Sequence, residues 1–244
     1  MIPDQTWLLG VTALVIGGFV KGALGVGLPL VAVPLLSLGM TPQTAIAMLV
    51  MPVLVSNGWQ AYEGGSVAPA IRRFGPLLVA QFLAVVLTVG WTLSLNASQL
   101  NAMVALAVLL AVLLMVWQPR LSINAQREKS AGFGVGLLSG MLGGVSSLTG
   151  PIIITYLMAL RLGRDEFVRN VSVIYLLGAI PLYAAMLTVG HIGGRELLLS
   201  AMGLLPMWCG LMMGKALRHR IPEILFRRVM LAFLVLLAGL LLIK

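Results

Sequence analysis

Long apolar runs and short polar breaks alternate along the chain, at the spacing of membrane-spanning helices. A helix that crosses the hydrocarbon core needs about 20 apolar residues, within a range of about 17–25. Six runs meet or nearly meet that length and are each predicted as one span: residues 45–62, 75–93, 99–117, 171–189, 197–214 and 229–243. The pattern therefore predicts an all-α polytopic membrane protein.

Two further apolar stretches, residues 8–38 and 132–160, are each broken in the middle by Gly, Pro or Ser. Each half is expected to be too short to span the membrane comfortably. We predict that each stretch is a re-entrant helical hairpin, which enters and leaves on the same side of the membrane. Two very short crossings would give the same parity, and the sequence leaves that alternative open.

The distribution of Lys and Arg favours hairpins over a single crossing at each broken stretch. With Lys21 left aside, single crossings divide the remaining basic residues seven against eight. Hairpins instead collect thirteen on one side and leave only Arg195 and Lys244 on the other. Since cytoplasmic loops are enriched in Lys and Arg, the thirteen are predicted to be cytoplasmic and both termini periplasmic.

Composition supports one membrane domain over residues 1–244. The chain is 60% hydrophobic and 9% charged, whereas a soluble domain has about 25% charged residues. The net charge of +9 is explained by basic cytoplasmic loops, so no nucleic-acid partner is expected. The two histidines and the single Cys209 make no catalytic or ligand cluster. We therefore predict no enzyme activity, no metal and no cofactor.

The two halves of the chain resemble each other. Each consists of a broken hairpin followed by three spans, and because three is odd the second half is predicted to be inverted in the membrane. Repeat one covers about 7–118, the linker 119–130 and repeat two about 131–244. Secondary transporters use such inverted repeats, and their paired broken segments point to the binding site. The aligned residues are Gly18, Gly22, Gly25 and Pro29 against Gly136, Gly140, Gly143 and Pro151.

The second arm of each hairpin begins at the tip, where its free N–H groups carry positive partial charge. Pro29 and Pro151 suit first-turn positions of these arms. Two such tips aimed at one central volume predict a mid-membrane anion site. Lys21 would add a full positive charge beside the first tip. The alternative is that Lys21 reaches the interface or pairs with a carbonyl group.

Polar side chains near the tips and in the following spans complete the candidate site. The hydroxyls of the second tip could bind substrate or cap the following helix. Asn57 and Gln60 lie on one helical face, and Asn170 and Tyr175 lie in the equivalent span; all four could instead hold helices together. The predicted substrate-binding residues are Lys21, Gly22, Gly25, Gly27, Asn57, Gln60, Gly143, Gly144, Ser146, Ser147, Thr149, Asn170 and Tyr175.

Three segments carry a family resemblance: "GGFVKGALGVGLPLVAVPLL", "VMPVLVSNGWQAYEGG" and "GVGLLSGMLGGVSSLTGPIIITYLMALRL". They resemble the sulfite exporter TauE/SafE family, also called TSUP, over nearly the whole chain. The resemblance implies a bacterial inner-membrane carrier of sulfur-containing anions or small organic acids, such as sulfite, sulfonates, sulfoacetate or thiosulfate. It also implies functional importance for the glycine-rich motifs: Gly22, Gly25, Gly27, Pro34, Gly140, Gly143 and Gly144.

The sequence thus predicts a secondary transporter that carries a small oxygen-rich anion by alternating access. A carrier of small organic carboxylates is the first alternative, and a membrane assembly or sensor subunit without transport is the second. The lipid bilayer and a small anion are the predicted partners. The identity of the anion, the direction of transport, proton coupling and homodimer formation are left open.

Overall fold

The computed structural model describes residues 4–63, 65–92, 95–117, 122–217 and 223–243. Within these ranges the chain is helical and contains no strand. A short 3₁₀ turn at Ala125–Arg127 precedes α7. The twelve α-helices are α1 (Asp4–Leu24), α2 (Leu28–Ser37), α3 (Pro42–Ala47), α4 (Val50–Glu63), α5 (Ala68–Thr92), α6 (Ala97–Trp117), α7 (Glu128–Ser146), α8 (Gly150–Ala159), α9 (Arg164–Thr188), α10 (Gly194–Met202), α11 (Leu204–Leu217) and α12 (Glu223–Ile243).

In the described part of the chain, six helical segments are long and apolar enough to cross a membrane, which confirms the all-α polytopic fold. They are Trp7–Leu24, Pro42–Glu63, Ala68–Thr92, Ala97–Trp117, Glu166–Thr188 and Gly194–Leu217. Five correspond to predicted spans, although Leu93, the end of one of them, lies outside the described residues. The sixth predicted span, residues 229–243, lies within α12, which has 21 residues and whose apolar part includes Met230–Ile243. The remaining segment of the six, Trp7–Leu24, is the first arm of the first broken stretch.

The first broken stretch folds as an antiparallel hairpin of α1 and α2. The chain reverses through Gly25 and Gly27, whose φ angles of +83° and +106° are accessible to glycine without steric cost. At the open end, Gly39 beyond α2 lies against Leu9 near the beginning of α1. The hairpin therefore begins and ends at the same end of the helical bundle.

The second broken stretch, α7 and α8, is also an antiparallel hairpin. Its turn contains Ser147, a non-glycine residue with a φ of +60°. At the open end, Tyr156 Oη donates a hydrogen bond of 3.0 Å to the main-chain oxygen of Glu128, the first residue of α7. This hairpin also returns to the end of the bundle at which it began.

The expectation that each half of a broken stretch is too short to span is wrong in length for both first arms, because α7 has 19 residues and α1 is longer still. Helix α1 has 21 residues, which is about 31 Å at about 1.5 Å per residue. Its glycines do not interrupt it, because Gly18 and Gly22 lie directly against the main chain of α11. Glycine is tolerated in membrane helices where it allows this kind of close packing. Only the second arms, with ten residues each, are short.

Among the described helices, two parallel pairs make the most extensive contacts: α1 with α11 and α5 with α7. In the first pair the contacts are reciprocal, since Gly210 and Gly214 of α11 lie against the main chain of α1. In the second pair, Gly136 and Gly140 contact α5 at the main-chain oxygens of Leu77 and Gln81. Small residues at spacings of four thus bring each hairpin's first arm against a spanning helix of the other half.

Ion pairs mark one end of the bundle, called here the ion-pair end. Arg73 of α5 binds Glu128 at 2.5 Å and Glu166 at 2.8 Å, and Lys215 binds Glu63 at 3.2 Å. A single crossing at each broken stretch would put Arg73 and Glu166 on opposite sides of the membrane. Their contact therefore agrees with the parity of the hairpin model.

Thiol labelling tests this arrangement. In a Cys209→Ser background, we expect Gln126→Cys before α7 and Gly163→Cys after α8 to react from the same side of the membrane. Gly163 has open space where a side chain would begin, so the substitution should be tolerated. An impermeant maleimide should label both only after cells are permeabilised. Labelling of the two positions from opposite sides would show that α7 and α8 cross the membrane once.

Candidate functional site

A cavity of about 440 Å³ lies between the two hairpin tips. The first tip contributes Gly27 and Pro29, and the second contributes the segment from Ser147 to Pro151. Asn57 of α4 and Tyr175 of α9 complete its polar lining together with Thr155 of α8. Both broken segments therefore line one common volume.

Helices α2 and α8 both begin at this cavity. Pro29 and Pro151 occupy their first turns, as predicted, and no side-chain hydrogen bond caps either helix at Gly27 or Thr149. The capping role considered for Thr149 is therefore not observed. The first-turn N–H groups of two helices are left available beside the cavity, which favours a negatively charged ligand.

Lys21 is connected to the cavity by a hydrogen bond to Asn57, which lines it. The Lys21 Nζ donates a hydrogen bond of 2.6 Å to Asn57 Oδ1, and both side chains are only 2% exposed. An ammonium group can only donate, so this contact fixes the orientation of the amide. The Nδ2 group of Asn57 is then the end left to donate toward a ligand in the cavity.

The charge of Lys21 has no acidic partner in the described part of the chain, where the ion pairs involve Arg73 and Lys215. Burial of an unpaired ammonium group costs several kcal/mol. A bound anion would reduce that cost. The site thus combines a buried positive charge with two uncapped helix N-termini.

Tyr175 supplies a further hydrogen-bonding group. It is 9% exposed, and its Oη has no hydrogen-bond partner among the described residues. The hydroxyl lies next to Gly150 at the start of α8, because a Cβ built on Gly150 would be 2.8 Å from it. Since Gln60 and Ser172 are in contact and α4 and α9 run antiparallel, Asn57 and Tyr175 lie at the same depth.

The predicted site residues divide into two groups. Six of them line the cavity: Gly27, Asn57, Gly143, Ser147, Thr149 and Tyr175. The other seven do not line it in this conformation: Lys21, Gly22, Gly25, Gln60, Gly144, Ser146 and Asn170.

The residues outside the lining have identifiable neighbours. Gly22 and Gly144 lie at the close helix contacts with α11 and α5, and Gly25 lies against Val168. Gln60 accepts a hydrogen bond from Ser172, and Ser146 bonds to the main chain of its own hairpin. Asn170 is buried at 2% exposure. Lys21 differs from these because its side chain donates a hydrogen bond to the side chain of a lining residue, Asn57.

Sequence reasoning missed most of the apolar lining. The cavity is also bordered by Leu114, Ile154, Met158 and Phe167, which come from α6, α8 and α9. Apolar residues in a membrane helix give the same sequence pattern whether they face lipid, core or a cavity, so no signal distinguished them. Thr155 could have been identified, although weakly, because it places a hydroxyl group one helical turn beyond Pro151.

Asn57→Asp should place a negative charge of the protein itself in the anion site. A carboxylate at this position would form an ion pair with Lys21 and repel an anion entering the cavity. We expect higher thermal stability without ligand and no stabilisation by sulfite or sulfoacetate, measured as the unfolding midpoint. Wild-type stabilisation by either anion in this variant would contradict the arrangement.

Across the described ranges, no three His, Cys, Asp or Glu side chains lie close enough to hold a metal ion. The family model "Sulfite exporter TauE/SafE" matches residues 9–241, which is nearly the whole chain. No significant match was found among curated proteins or solved structures. The match spans both hairpins and the cavity between them, and on that basis the chain belongs to the sulfite exporter TauE/SafE family of membrane transporters.

Proposed function

We propose that the protein is a secondary transporter for a small sulfur-containing anion, such as sulfite or an organosulfonate like sulfoacetate. The anion would bind among the two hairpin tips, Asn57 and Tyr175. The observation that carries the proposal is the hydrogen bond between buried Lys21 and Asn57 at a cavity where two uncapped helices begin. The chain is proposed to have no enzyme activity.

Alternating access would follow from two inverted repeats. The pairing of α1 with α11 and of α5 with α7 supports this, because each pair joins a hairpin of one proposed repeat to a spanning helix of the other. Each pair is bound through glycines, so it could move as one unit. Relative motion of the two units would expose the cavity to one side and then the other.

The membrane potential would favour outward movement of an anion from the cell. One elementary charge that crosses 100 mV changes free energy by about 2.3 kcal/mol. Uptake would therefore need a coupled ion, for which a proton is the proposed candidate, whereas export would not. The protein is proposed to lie in the bacterial inner membrane with both termini in the periplasm.

Counterflow in proteoliposomes tests the transport function. Vesicles loaded with unlabelled sulfite or sulfoacetate should accumulate the same anion in labelled form, and empty vesicles should not. A Lys21→Met protein, reconstituted in equal amount, should give little accumulation. Absence of counterflow for every sulfur anion and carboxylate tested would reject the carrier and favour an assembly or sensor role.

Small organic carboxylates are the second candidate substrates. The donors at the site are N–H groups, an amide and hydroxyls, which can bind carboxylate and sulfonate oxygens alike. Parallel counterflow with acetate and malonate would distinguish the two classes. Carboxylate exchange that exceeds exchange of every sulfur anion would replace the first proposal with this one.

A further inference from the structure

The geometry points to an amphipathic organic anion as the ligand: a charged head at Asn57 and Tyr175, and an apolar body along α8. This inference rests on the proposed carrier function and names the kind of substrate that the same cavity would take. Inorganic sulfite does not fit this description, because it has a charged group and no apolar part.

The cavity is larger than an inorganic oxyanion can fill. Water occupies about 30 Å³ per molecule in the liquid, so a volume of about 440 Å³ corresponds to roughly 15 non-hydrogen atoms. An inorganic oxyanion has four or five such atoms. It could contact the polar residues at one place only, and most of the volume would remain for another part of the ligand.

Polar and apolar residues lie in separate parts of the cavity lining. The polar floor is defined here as Asn57, Ser147, Thr149 and Tyr175. Elsewhere the described lining is largely apolar and has no charged side chain. Thr155, the remaining polar lining residue, already donates its hydroxyl to the Pro151 main-chain oxygen at 2.8 Å. The apolar mouth is defined as Leu114, Met115, Ile154, Met158, Phe167 and Met230.

The apolar mouth lies between the polar floor and the protein surface. Helix α8 starts beside the Tyr175 hydroxyl and passes Glu128 near its other end, at Tyr156. It therefore runs from the polar floor toward the ion-pair end, and Gly150 and Met158 are about 12 Å apart along its axis. Met158 is 57% exposed and marks where the lining reaches the protein surface. If a ligand enters there with its charged group first, that group can reach the polar floor while its apolar part packs against the apolar mouth.

A homologous series of ligands tests the inference. Linear alkanesulfonates from methanesulfonate to hexanesulfonate would be titrated against the purified full-length protein, with the unfolding midpoint as the readout. Burial of each added methylene should increase affinity about two- to fourfold. The matched 1-alkanols, which have the body without the charged head, should stabilise the protein much less.

Two substitutions separate the head from the body. Met158→Ala should weaken hexanesulfonate binding about threefold or more and leave methanesulfonate binding unchanged. Its control is Met141→Ala on α7, which is similarly exposed at 55% and does not line the cavity; it should change neither. Tyr175→Phe should weaken all the sulfonates by the same factor, because it alters only the polar floor.

The outcomes distinguish failure of this inference from failure of the proposed function. Equal affinity for sulfite and every alkanesulfonate would overturn the apolar body and leave an anion carrier in place. Alkanols as effective as sulfonates would also overturn the inference, because the cavity would then accept apolar chains without a charge. If no anion in the series binds, including sulfite, both the carrier function and this inference are rejected.

Discussion

Replacement of Lys21 by Met is expected to remove most of the affinity for anions. A ligand that accepts a hydrogen bond from Asn57 would lie about 6–7 Å from the ammonium group, where two unit charges attract by about 2–3 kcal/mol at an effective dielectric of about 20. Loss of that attraction corresponds to a roughly 30- to 150-fold weaker affinity. The dissociation constant of sulfoacetate for purified wild-type and Lys21→Met protein measures the difference.

The matched control is Lys215→Met. It removes the same charge from the chain, but Lys215 is about half exposed and pairs with Glu63, so anion affinity should stay near the wild-type value. Lys21→Met should remain folded. Asn57 Oδ1 loses its hydrogen-bond donor, but the free-energy cost of burying the charge of Lys21 is also removed. Equal loss of affinity in both variants would indicate a general effect of net charge rather than a specific site.

Substitution of Gly140 by Ala is expected to lower the stability of the protein markedly. The added Cβ would lie 2.6 Å from the Gln81 main-chain oxygen and 2.7 Å from Ala84 Cβ, so α5 and α7 would have to separate. Overpacking of this kind costs about 1–3 kcal/mol, which corresponds to a decrease of roughly 3–10 °C in the unfolding midpoint. Differential scanning fluorimetry of the purified protein provides the measurement.

Gly134→Ala is the control for Gly140→Ala. Gly134 lies on the same helix, but nothing lies within 4 Å of the position that its Cβ would take. Because alanine favours the helix over glycine, this variant should be as stable as the wild type or more so. A decrease of the same size in both variants would show that the glycines matter for helix flexibility and not for contact with α5.

The sequence was sufficient to predict those parts of the fold that depend on local pattern. The length of apolar runs predicted five spans, and the positive-φ glycines Gly25 and Gly27 produce the predicted break in the first stretch. The length of α1 was not predictable in the same way. Gly18 and Gly22 look like helix breakers in the sequence, and only their contact with α11 shows why the helix continues.

The candidate site was predictable only in part for a similar reason. Lys21 and Asn57 were identified because polar groups in membrane segments are costly and therefore conspicuous. The hydrogen bond between them joins residues 36 positions apart, and no local pattern predicts it. Gly22 and Gly144 carry the same glycine signal as Gly27 and Gly143, but they lie at helix contacts whereas the latter two line the cavity.

Protection of a cysteine in the cavity tests most directly whether the anion binds between the hairpin tips. Thr155→Cys in a Cys209→Ser background would place a thiol of similar size in the lining. Sulfoacetate should slow its alkylation by a permeant maleimide, with half-protection at the concentration that half-saturates transport. An alkylation rate that stays constant while transport saturates would place the anion elsewhere and contradict the account.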